Sequence, residues 1–93
     1  MRTYIAGAIT NNPDYIEHFL NGSVDVVNMG LTPVNPIELE HNHDKTWSSY
    51  MKECLSCLLK CEAIYMLRSW ENSEGAKIEY NLAKSLGLKI IHQ

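Results

Sequence analysis

The residues best suited to chemistry lie in one stretch, Arg68–Gly87. Ser73 predicts a helix N-cap, with Ala76 the first strong helix former behind it. The unpaired backbone N–H groups at such a helix start can hold an anion. Glu79 falls in the second turn, one face away from the apolar row, so its carboxylate can face the end of the preceding strand. Because open α/β sheets bind ligands at that edge, the spacing predicts a ligand site with one acidic group.

The strand and the helix that would position these groups are predicted from apolar patterning. Residues Ala63–Leu67 are bulky and apolar over a length too short for a helix, which predicts a fully buried strand. The polar turn Arg68–Glu74 ends that strand, and Gly87 closes the following helix as a C′ glycine. The apolar row of this helix is Ile78, Leu82, Ala83 and Leu86.

The first part of the chain predicts a strand and a long helix. Tyr4–Ala8 is typical of a strand and its exit, and Gly7 permits an unusual backbone angle or the close approach of a ligand. Asn12 predicts the N-cap of a helix with Pro13 in its first turn, and Gly30 ends that helix. Its apolar positions are Ile16, Phe19, Leu20, Val24, Val27 and Met29.

The remaining segments complete an alternating pattern. Leu31–Asn35 predicts a second strand, and Leu88–His92 predicts a last one. Pro36–Lys45 is polar and reads as a loop with a helical turn around Glu38, after which Thr46 caps another helix. One face of that helix contains Trp47, Tyr50, Met51, Cys54, Leu58 and Cys61.

This alternation of strands and helices predicts one α/β domain over residues 1–93. A parallel four-stranded sheet with helices on both faces is expected, in a three-layer, flavodoxin/Rossmann-like arrangement. Right-handed crossovers favour the strand order 2-1-3-4, and Pro33 suits an edge position for the second strand. The exit loops Gly7–Thr10 and Trp70–Glu79 would then line one crevice.

Composition narrows the classes of partner. A net charge of −3 over 93 residues gives no basic footprint for a nucleic-acid polymer and no membrane-surface patch. The apolar runs are far shorter than a membrane-spanning helix. Three cysteines, an odd number without paired spacing, favour a reducing cytoplasm over a disulfide framework.

Two groups of residues could in principle hold a metal. His41 and His43 have acidic neighbours, but solvated loop histidines are the more common interpretation of such a pair. Cys54, Cys57 and Cys61 share one predicted helix face, where small buried hydrophobes are the usual case, and their spacing matches no strong metal or cluster signature. We therefore predict no metal and no cofactor.

Four motifs occur in a fixed order along nearly the whole chain. They are YIAGAIT at the start, Val-Asn-Pro after the second strand, a TW..YM..CL..LL.C helix, and AIYML..WE.S.GA.IE..LA..LG. In this order and spacing the chain resembles the nucleoside 2-deoxyribosyltransferase-like superfamily, and in particular its short bacterial and phage branch. Enzymes of that superfamily cleave or exchange the N-glycosidic bond of 2′-deoxynucleosides or their 5′-monophosphates.

The resemblance implies roles for individual residues. Glu79 matches the glutamate nucleophile, Tyr4 matches the first-strand tyrosine that orients it, and Ser73 matches a serine that contacts a 5′-phosphate. The superfamily's acid, an aspartate, falls on Cys54 in this chain. This departure weakens the transfer of activity more than the transfer of fold.

The missing acid matters because retaining glycosidic cleavage uses two carboxyl groups, about 5–5.5 Å apart in glycoside hydrolases. One attacks the anomeric carbon and the other protonates the leaving group. The thiol of Cys54, with a reference pKa of about 8.5, carries a proton at neutral pH and could donate it weakly. We expect slow turnover, an acid from elsewhere, or binding without chemistry.

Each site residue also has a plainer interpretation. Glu79 could be an exposed carboxylate paired with a nearby lysine, and Tyr4 could be a core aromatic. Trp70 could stack on a base or simply cover the end of the sheet, and Asn35 could bind a ligand or cap the turn at Pro36. The full set of candidate ligand contacts is Gly7, Ala8, Ile9, Asn35, Trp70, Ser73 and Gly75.

The function expected from these residues and from the resemblance is an N-glycosidase or 2-deoxyribosyltransferase-like enzyme of the cytoplasm, acting on a nucleoside or nucleotide. The alternative is a non-catalytic nucleotide-binding module that keeps the pocket but has lost the acid at Cys54. A third possibility is a small structural or regulatory protein that acts through its surface. Since relatives close the crevice with a neighbouring subunit, a homo-oligomer, either a dimer or a tetramer built from dimers, is also expected.

Overall fold

A four-stranded parallel sheet lies between helices in the computed structural model, which describes residues 1–39 and 46–93. The elements are β1 (Arg2–Ala6), α1 (Tyr15–Asn28), β2 (Thr32–Val34), α2 (Trp47–Leu58), β3 (Ala63–Met66), α3 (Glu74–Ser85) and β4 (Lys89–His92), with 3-10 turns at Pro36–Glu38 and Trp70–Asn72. The strand order is β2-β1-β3-β4, which confirms the predicted topology. His41 and His43, which were considered as possible metal ligands, lie outside the described residues.

The two central strands carry alternating side chains into two separate cores. Tyr4 of β1 pairs with Val34 of β2 and with Ile64 of β3, and its side chain packs on the face covered by α2 and α3. Ile5, the next residue, points to the opposite face and packs against Phe19 of α1. This period of two places helices on both faces, as predicted. It also puts the Tyr4 hydroxyl in the layer between the sheet and α3.

The helix α1 packs through a face that shares only Phe19 with the predicted apolar row. Its buried residues are Phe19, Gly22 and Val26, whereas most of the predicted apolar row is exposed. Gly22 explains the choice of face, because a Cβ at this position would lie 2.8 Å from Cδ2 of Leu67. The exposed apolar residues of the predicted row are Ile16, Leu20, Val24, Val27 and Met29.

The start of α1 also differs from the prediction. Asp14, not Asn12, is the N-cap residue, and the helix begins at Tyr15. The backbone oxygen of Asn12 accepts a hydrogen bond from the Tyr15 N–H at 3.2 Å, and its side-chain amide donates to the Ala8 carbonyl at 2.9 Å. Asn12 therefore builds a turn after the β1 exit, a role that its side chain performs as readily as capping.

The caps of α2 and α3 follow the sequence signals closely. The hydroxyl oxygens of Thr46 and Ser73 accept hydrogen bonds from the N–H groups of Ser49 and Ala76, each at 3.1 Å. Gly87 follows α3 with a φ of 73°, the left-handed conformation expected of a C′ glycine. Ser73 is thereby confirmed as an N-cap.

The buried face of α3 is made of small residues and one acid. Its buried residues are Gly75, Ala76, Glu79 and Ala83. In the predicted apolar row, Ala83 is fully buried and Leu82 packs against the core, but Ile78 is 42% exposed and Leu86 is 53% exposed, so only part of that row forms the core contact. Small side chains let α3 lie close to the sheet, and this brings the Glu79 carboxyl into the protein interior.

No helix within residues 1–39 and 46–93 combines the length and the apolar character needed to cross a membrane.

The different environments of Ile64 and Ile78 give a test of this packing. Ile64→Ala empties a fully buried position on β3 and should lower the free energy of unfolding by about 2–5 kcal/mol. Ile78→Ala, at a position that is 42% exposed, should cost much less. Urea unfolding of both variants measures the difference. Equal losses would contradict the assignment of the α3 face.

Candidate active site

A cavity of about 460 Å³ opens where the β1 exit loop, α2 and the start of α3 meet. Its lining residues are Tyr4, Ile5, Gly7, Ile9, Thr10, Phe19, Pro36, Thr46, Trp47, Tyr50, Met51, Cys54, Ser73, Gly75 and Glu79. The carboxyl end of β1 and the start of α3, the helix that follows β3, thus border the cavity. Open α/β sheets bind ligands at this edge. The volume of the cavity is within the range of small-molecule sites.

Glu79 and Tyr4 form the buried polar pair of the cavity. Glu79 is 6% exposed and Tyr4 is 1% exposed. The Tyr4 hydroxyl donates a hydrogen bond to Oε2 of Glu79. The central strand and the second turn of α3 each supply one partner, so the fold itself fixes the carboxyl group. An exposed Glu79 paired with a lysine is therefore excluded.

Burial controls the proton equilibrium of this pair. It raises the pKa of Glu79 from an ordinary value of 4.5 to about 7, and the hydrogen bond from Tyr4 lowers that pKa in part. Burial, with the nearby Glu79 carboxylate, raises the pKa of Tyr4 well above its usual value. Tyr4 therefore remains a hydrogen-bond donor, while Glu79 exchanges its proton near neutral pH.

Cys54 of α2 also lines the cavity. Burial raises the pKa of its thiol to about 11, while interactions with the hydroxyls of Tyr4 and Tyr50 lower that pKa in part. The pKa of Tyr50 is also raised, by burial and by its proximity to Cys54. Among the described lining residues, Glu79 is consequently the acid that ionises near neutral pH.

The start of α3 forms one wall of the cavity. Ser73 and Gly75 both contribute to the lining. The first N–H groups of a helix have no intrahelical partner, and Gly75 presents them without a side chain. A Cβ at Gly75 would lie 2.9 Å from Sδ of Met51, so glycine also permits α3 and α2 to meet. This wall offers N–H groups and a hydroxyl to an anionic ligand.

Asn35 is buried but lies outside the cavity lining. Its side-chain amide donates to the Phe19 carbonyl at 3.3 Å and to Oγ of Ser23 at 3.1 Å. Its side-chain oxygen accepts from the Ile37 N–H at 3.2 Å. These three bonds cap the turn after β2 and tie it to α1, which is the plainer of the two interpretations of Asn35.

Two further candidate contacts also lie outside the lining. Trp70 stacks on Tyr80 with 4.7 Å between ring centroids, and His92 lies beside this pair. Trp70 thus covers the β4 side of the sheet end. The Ala8 N–H donates to Oγ of Ser69 at 3.1 Å, which ties the β1 exit to the β3 exit. In contrast, Gly7 and Ile9 line the cavity.

Tyr50 and Met51 also line the cavity, although neither was predicted as a site residue. Tyr50 precedes Cys54 by one helical turn, so the two side chains share a face of α2. That spacing was the signal available in the sequence. Phe19 and Pro36 also line the cavity. The sequence marked Phe19 only as an apolar position of α1, and Pro36 only as the start of a loop.

No arrangement of metal ligands occurs in the described parts of the chain. Residues 1–39 and 46–93 contain no group of three or more His, Cys, Asp or Glu side chains that could hold a metal ion. The cysteines at positions 54, 57 and 61 are free thiols.

Fold and site together define a parallel α/β protein with a buried carboxyl group in a cavity at the carboxyl edge of its sheet. Residues 1–92 match the family described as Domain of unknown function (DUF4406), and the chain belongs to that family. No curated protein matches the sequence.

The raised pKa of Glu79 makes stability depend on pH. Between about pH 4.5 and about 7, the folded state holds a proton that the unfolded state has released, so the free energy of unfolding falls as pH rises through this window. Glu79→Gln removes that dependence. Since a tenfold change in proton affinity is worth about 1.4 kcal/mol, the variant should gain up to about 3 kcal/mol over the wild type above neutral pH.

Denaturant unfolding at several pH values measures this gap, which should close below about pH 4.5, where the unfolded state also keeps the proton. Glu74→Gln is the matched control on the same helix, because Glu74 is exposed and pairs with Lys77 at 3.6 Å. Identical pH dependence in the wild type and in Glu79→Gln would contradict the buried carboxyl group.

Proposed function

We propose that this protein binds a nucleoside or nucleotide in the cavity and cleaves its N-glycosidic bond, with Glu79 as the nucleophile. The observation that carries the proposal is the buried Glu79 carboxyl group, held by the Tyr4 hydroxyl inside a cavity of about 460 Å³. The ordered motifs that resemble the nucleoside 2-deoxyribosyltransferase-like superfamily support the same function. Tyr4, Ser73 and Glu79 occupy the positions that this resemblance requires.

The proposed chemistry begins with the ionised form of Glu79. Oε2 accepts the hydrogen bond from Tyr4, so Oε1 is the attacking atom in this scheme. A bond forms between Oε1 and C1′ of the sugar, the C1′–N bond breaks, and its electron pair leaves with the base, which takes up a proton. Water or a second base then attacks C1′ and releases the carboxylate, which gives hydrolysis or transfer respectively.

The source of the proton for the leaving base limits the rate. Among the described lining residues, Glu79 is the sole carboxylic acid. Cys54 and Tyr50 remain protonated at neutral pH, because burial raises the pKa of both groups. Proton donors this weak should accelerate the departure of the base by less than the roughly 10²- to 10⁴-fold that a tuned general acid provides. The proposal is therefore for a slow enzyme, and bases that leave easily are its best substrates.

Cys54 favours a second candidate function, a nucleotide-binding module without catalysis. Its thiol occupies the position where the resemblance implies an aspartate, and its pKa of about 11 keeps it neutral. A pocket with a hydrogen-bonded carboxyl group and a helix N-terminus can bind a nucleotide without cleaving it. The two functions share the cavity and differ only in turnover.

The proposed setting is the cytoplasm, and the proposed partner is a small nucleoside or nucleotide. Three free cysteines suit a reducing compartment. The net charge of −3 does not favour a nucleic-acid polymer or an anionic membrane surface.

The first test is release of free base from 2′-deoxynucleosides and their 5′-monophosphates, followed by chromatography. The wild type should release base, and Glu79→Gln should reduce the rate by at least about 100-fold, because the amide cannot act as a nucleophile. The value of kcat/KM should rise with pH to a plateau above about 7, where Glu79 is ionised. No falling limb is expected before strongly alkaline pH, since Cys54 and Tyr50 keep their protons.

Glu74→Gln serves as the control and should leave the rate unchanged. Base release that is equal in the wild type and in Glu79→Gln would contradict a nucleophilic Glu79. Saturable binding by calorimetry, with intact nucleotide recovered afterwards, would instead support the binding module.

Cys54→Asp separates the two functions. A carboxyl group at this position can protonate the leaving base, so the rate of base release should increase by roughly 10- to 100-fold over the wild type. Its profile of kcat/KM against pH should gain a falling limb, because cleavage then requires a protonated acid. Cys57→Asp, on the same helix but outside the cavity lining, is the matched control. An unchanged or lower rate in a folded Cys54→Asp protein would contradict the acid-deficient scheme.

A further inference from the structure

The helix α1 carries an aligned row of aliphatic side chains on its outer surface. Ile16, Leu20, Val24 and Val27, here called the α1 stripe, are 54%, 46%, 57% and 57% exposed. They lie on one side of the helix, whereas Phe19 and Val26 face the sheet. Exposed aliphatic residues are ordinary when scattered, but a continuous row is typical of an interface.

We propose that the α1 stripe is the contact surface of a homodimer, in which two α1 helices pack antiparallel about a two-fold axis. A two-fold interface requires that if residue i contacts residue j, then j also contacts i. The stripe has this symmetry, because its spacings of four, four and three residues are nearly the same from either end. Ile16 then meets Val27 of the second copy, and Leu20 meets Val24 of the second copy.

The polar flank of α1 is compatible with the same arrangement. Glu17 and Asn28 lie on one side of the stripe, at about 100° and 120° around the helix from Ile16. Antiparallel packing about the two-fold axis brings the Glu17 carboxylate of one copy next to the Asn28 amide of the other. The two Glu17 carboxylates are then about 14 Å apart along the axis, beyond the Debye length of about 8 Å at physiological salt.

The charged residues of α1 favour a second copy of this chain, and not a membrane, as the partner that covers the α1 stripe. The helix contains Glu17 and Asp25 but no Lys or Arg. Helices that lie on anionic lipid surfaces use basic residues beside their apolar face, so α1 lacks the attraction such binding needs. A second copy requires no added charge, since each stripe supplies the matching apolar surface.

The small area of the α1 stripe determines how tightly the proposed dimer should associate. From Ile16 to Val27 the stripe is about 17 Å long at the helical rise of about 1.5 Å per residue. Four aliphatic side chains from each copy make a smaller contact than the roughly 800 Å² per partner of a standard interface. The dimer should therefore dissociate reversibly, with a Kd in the micromolar range. This dimer does not depend on the proposed function, because none of the stripe residues lines the cavity.

Charge substitutions within the stripe test both the surface and its register. Leu20→Glu and Val24→Lys each place a charge against an aliphatic residue of the second copy, so each variant alone should sediment as the 10.6 kDa monomer. An equal mixture should regain a dimer, since Glu at position 20 then faces Lys at position 24, and the other pair in that heterodimer remains Leu and Val. The matched control is Ile78→Lys on the exposed face of α3, which should dimerise like the wild type.

Sedimentation velocity over a range of micromolar concentrations measures these masses, and circular dichroism confirms that each variant is folded. A wild type that remains monomeric up to about 0.1 mM overturns the proposal. Sedimentation of that monomer with lipid vesicles would assign the stripe to a membrane. A wild-type dimer that survives both substitutions, or variants that do not recover a dimer on mixing, would overturn the α1 register.

Discussion

A carboxyl group removed from water is the constraint on which the site depends. The Tyr4 hydroxyl donates a hydrogen bond to the buried Glu79 carboxyl group, and burial raises the pKa of Glu79 to about 7. Without the Tyr4 hydroxyl as a hydrogen-bond donor, burying the ionised Glu79 carboxylate would cost more free energy. The pair joins the central strand to α3, so the position of the acid follows from the fold itself. A carboxyl group in this state can give or take a proton at neutral pH, or attack once it is ionised.

The helix α3 reaches this position because its inner face is small. Ala76 and Ala83 bring the backbone close to the sheet, so that the longer Glu79 side chain meets Tyr4. Larger residues such as Ile78 are directed outward. The inner face of α3 therefore carries an acid and the outer face an aliphatic residue, and the acid lines the cavity.

Local signals predicted the order of elements better than the faces through which they pack. The caps at Thr46 and Ser73 and the strand order were correct, since N-cap chemistry and right-handed crossovers depend on short-range geometry. The inner faces of α1 and α3 were predicted only in part, since Phe19 and Ala83 are buried whereas the larger aliphatic residues of the two predicted rows are mostly exposed. Both helices meet the sheet through glycine or alanine, as Gly22 shows in α1, and apolar periodicity gives such small residues little weight. Glu79 and Tyr4 were identified through an ordered set of motifs, whereas the Asn35 network joins segments that are distant in sequence.

The pH at which the Glu79 carboxyl group loses its proton can be measured for this one residue. Carbon-13 NMR of protein labelled at the glutamate side-chain carboxyl carbon, with the resonance assigned by its loss in Glu79→Gln, follows this one group as pH is varied. We expect a midpoint near pH 7 for Glu79, because burial raises the pKa of its carboxyl group. A midpoint near the ordinary value of 4.5 would show a solvated carboxylate, and the proposed nucleophile would lose its physical basis.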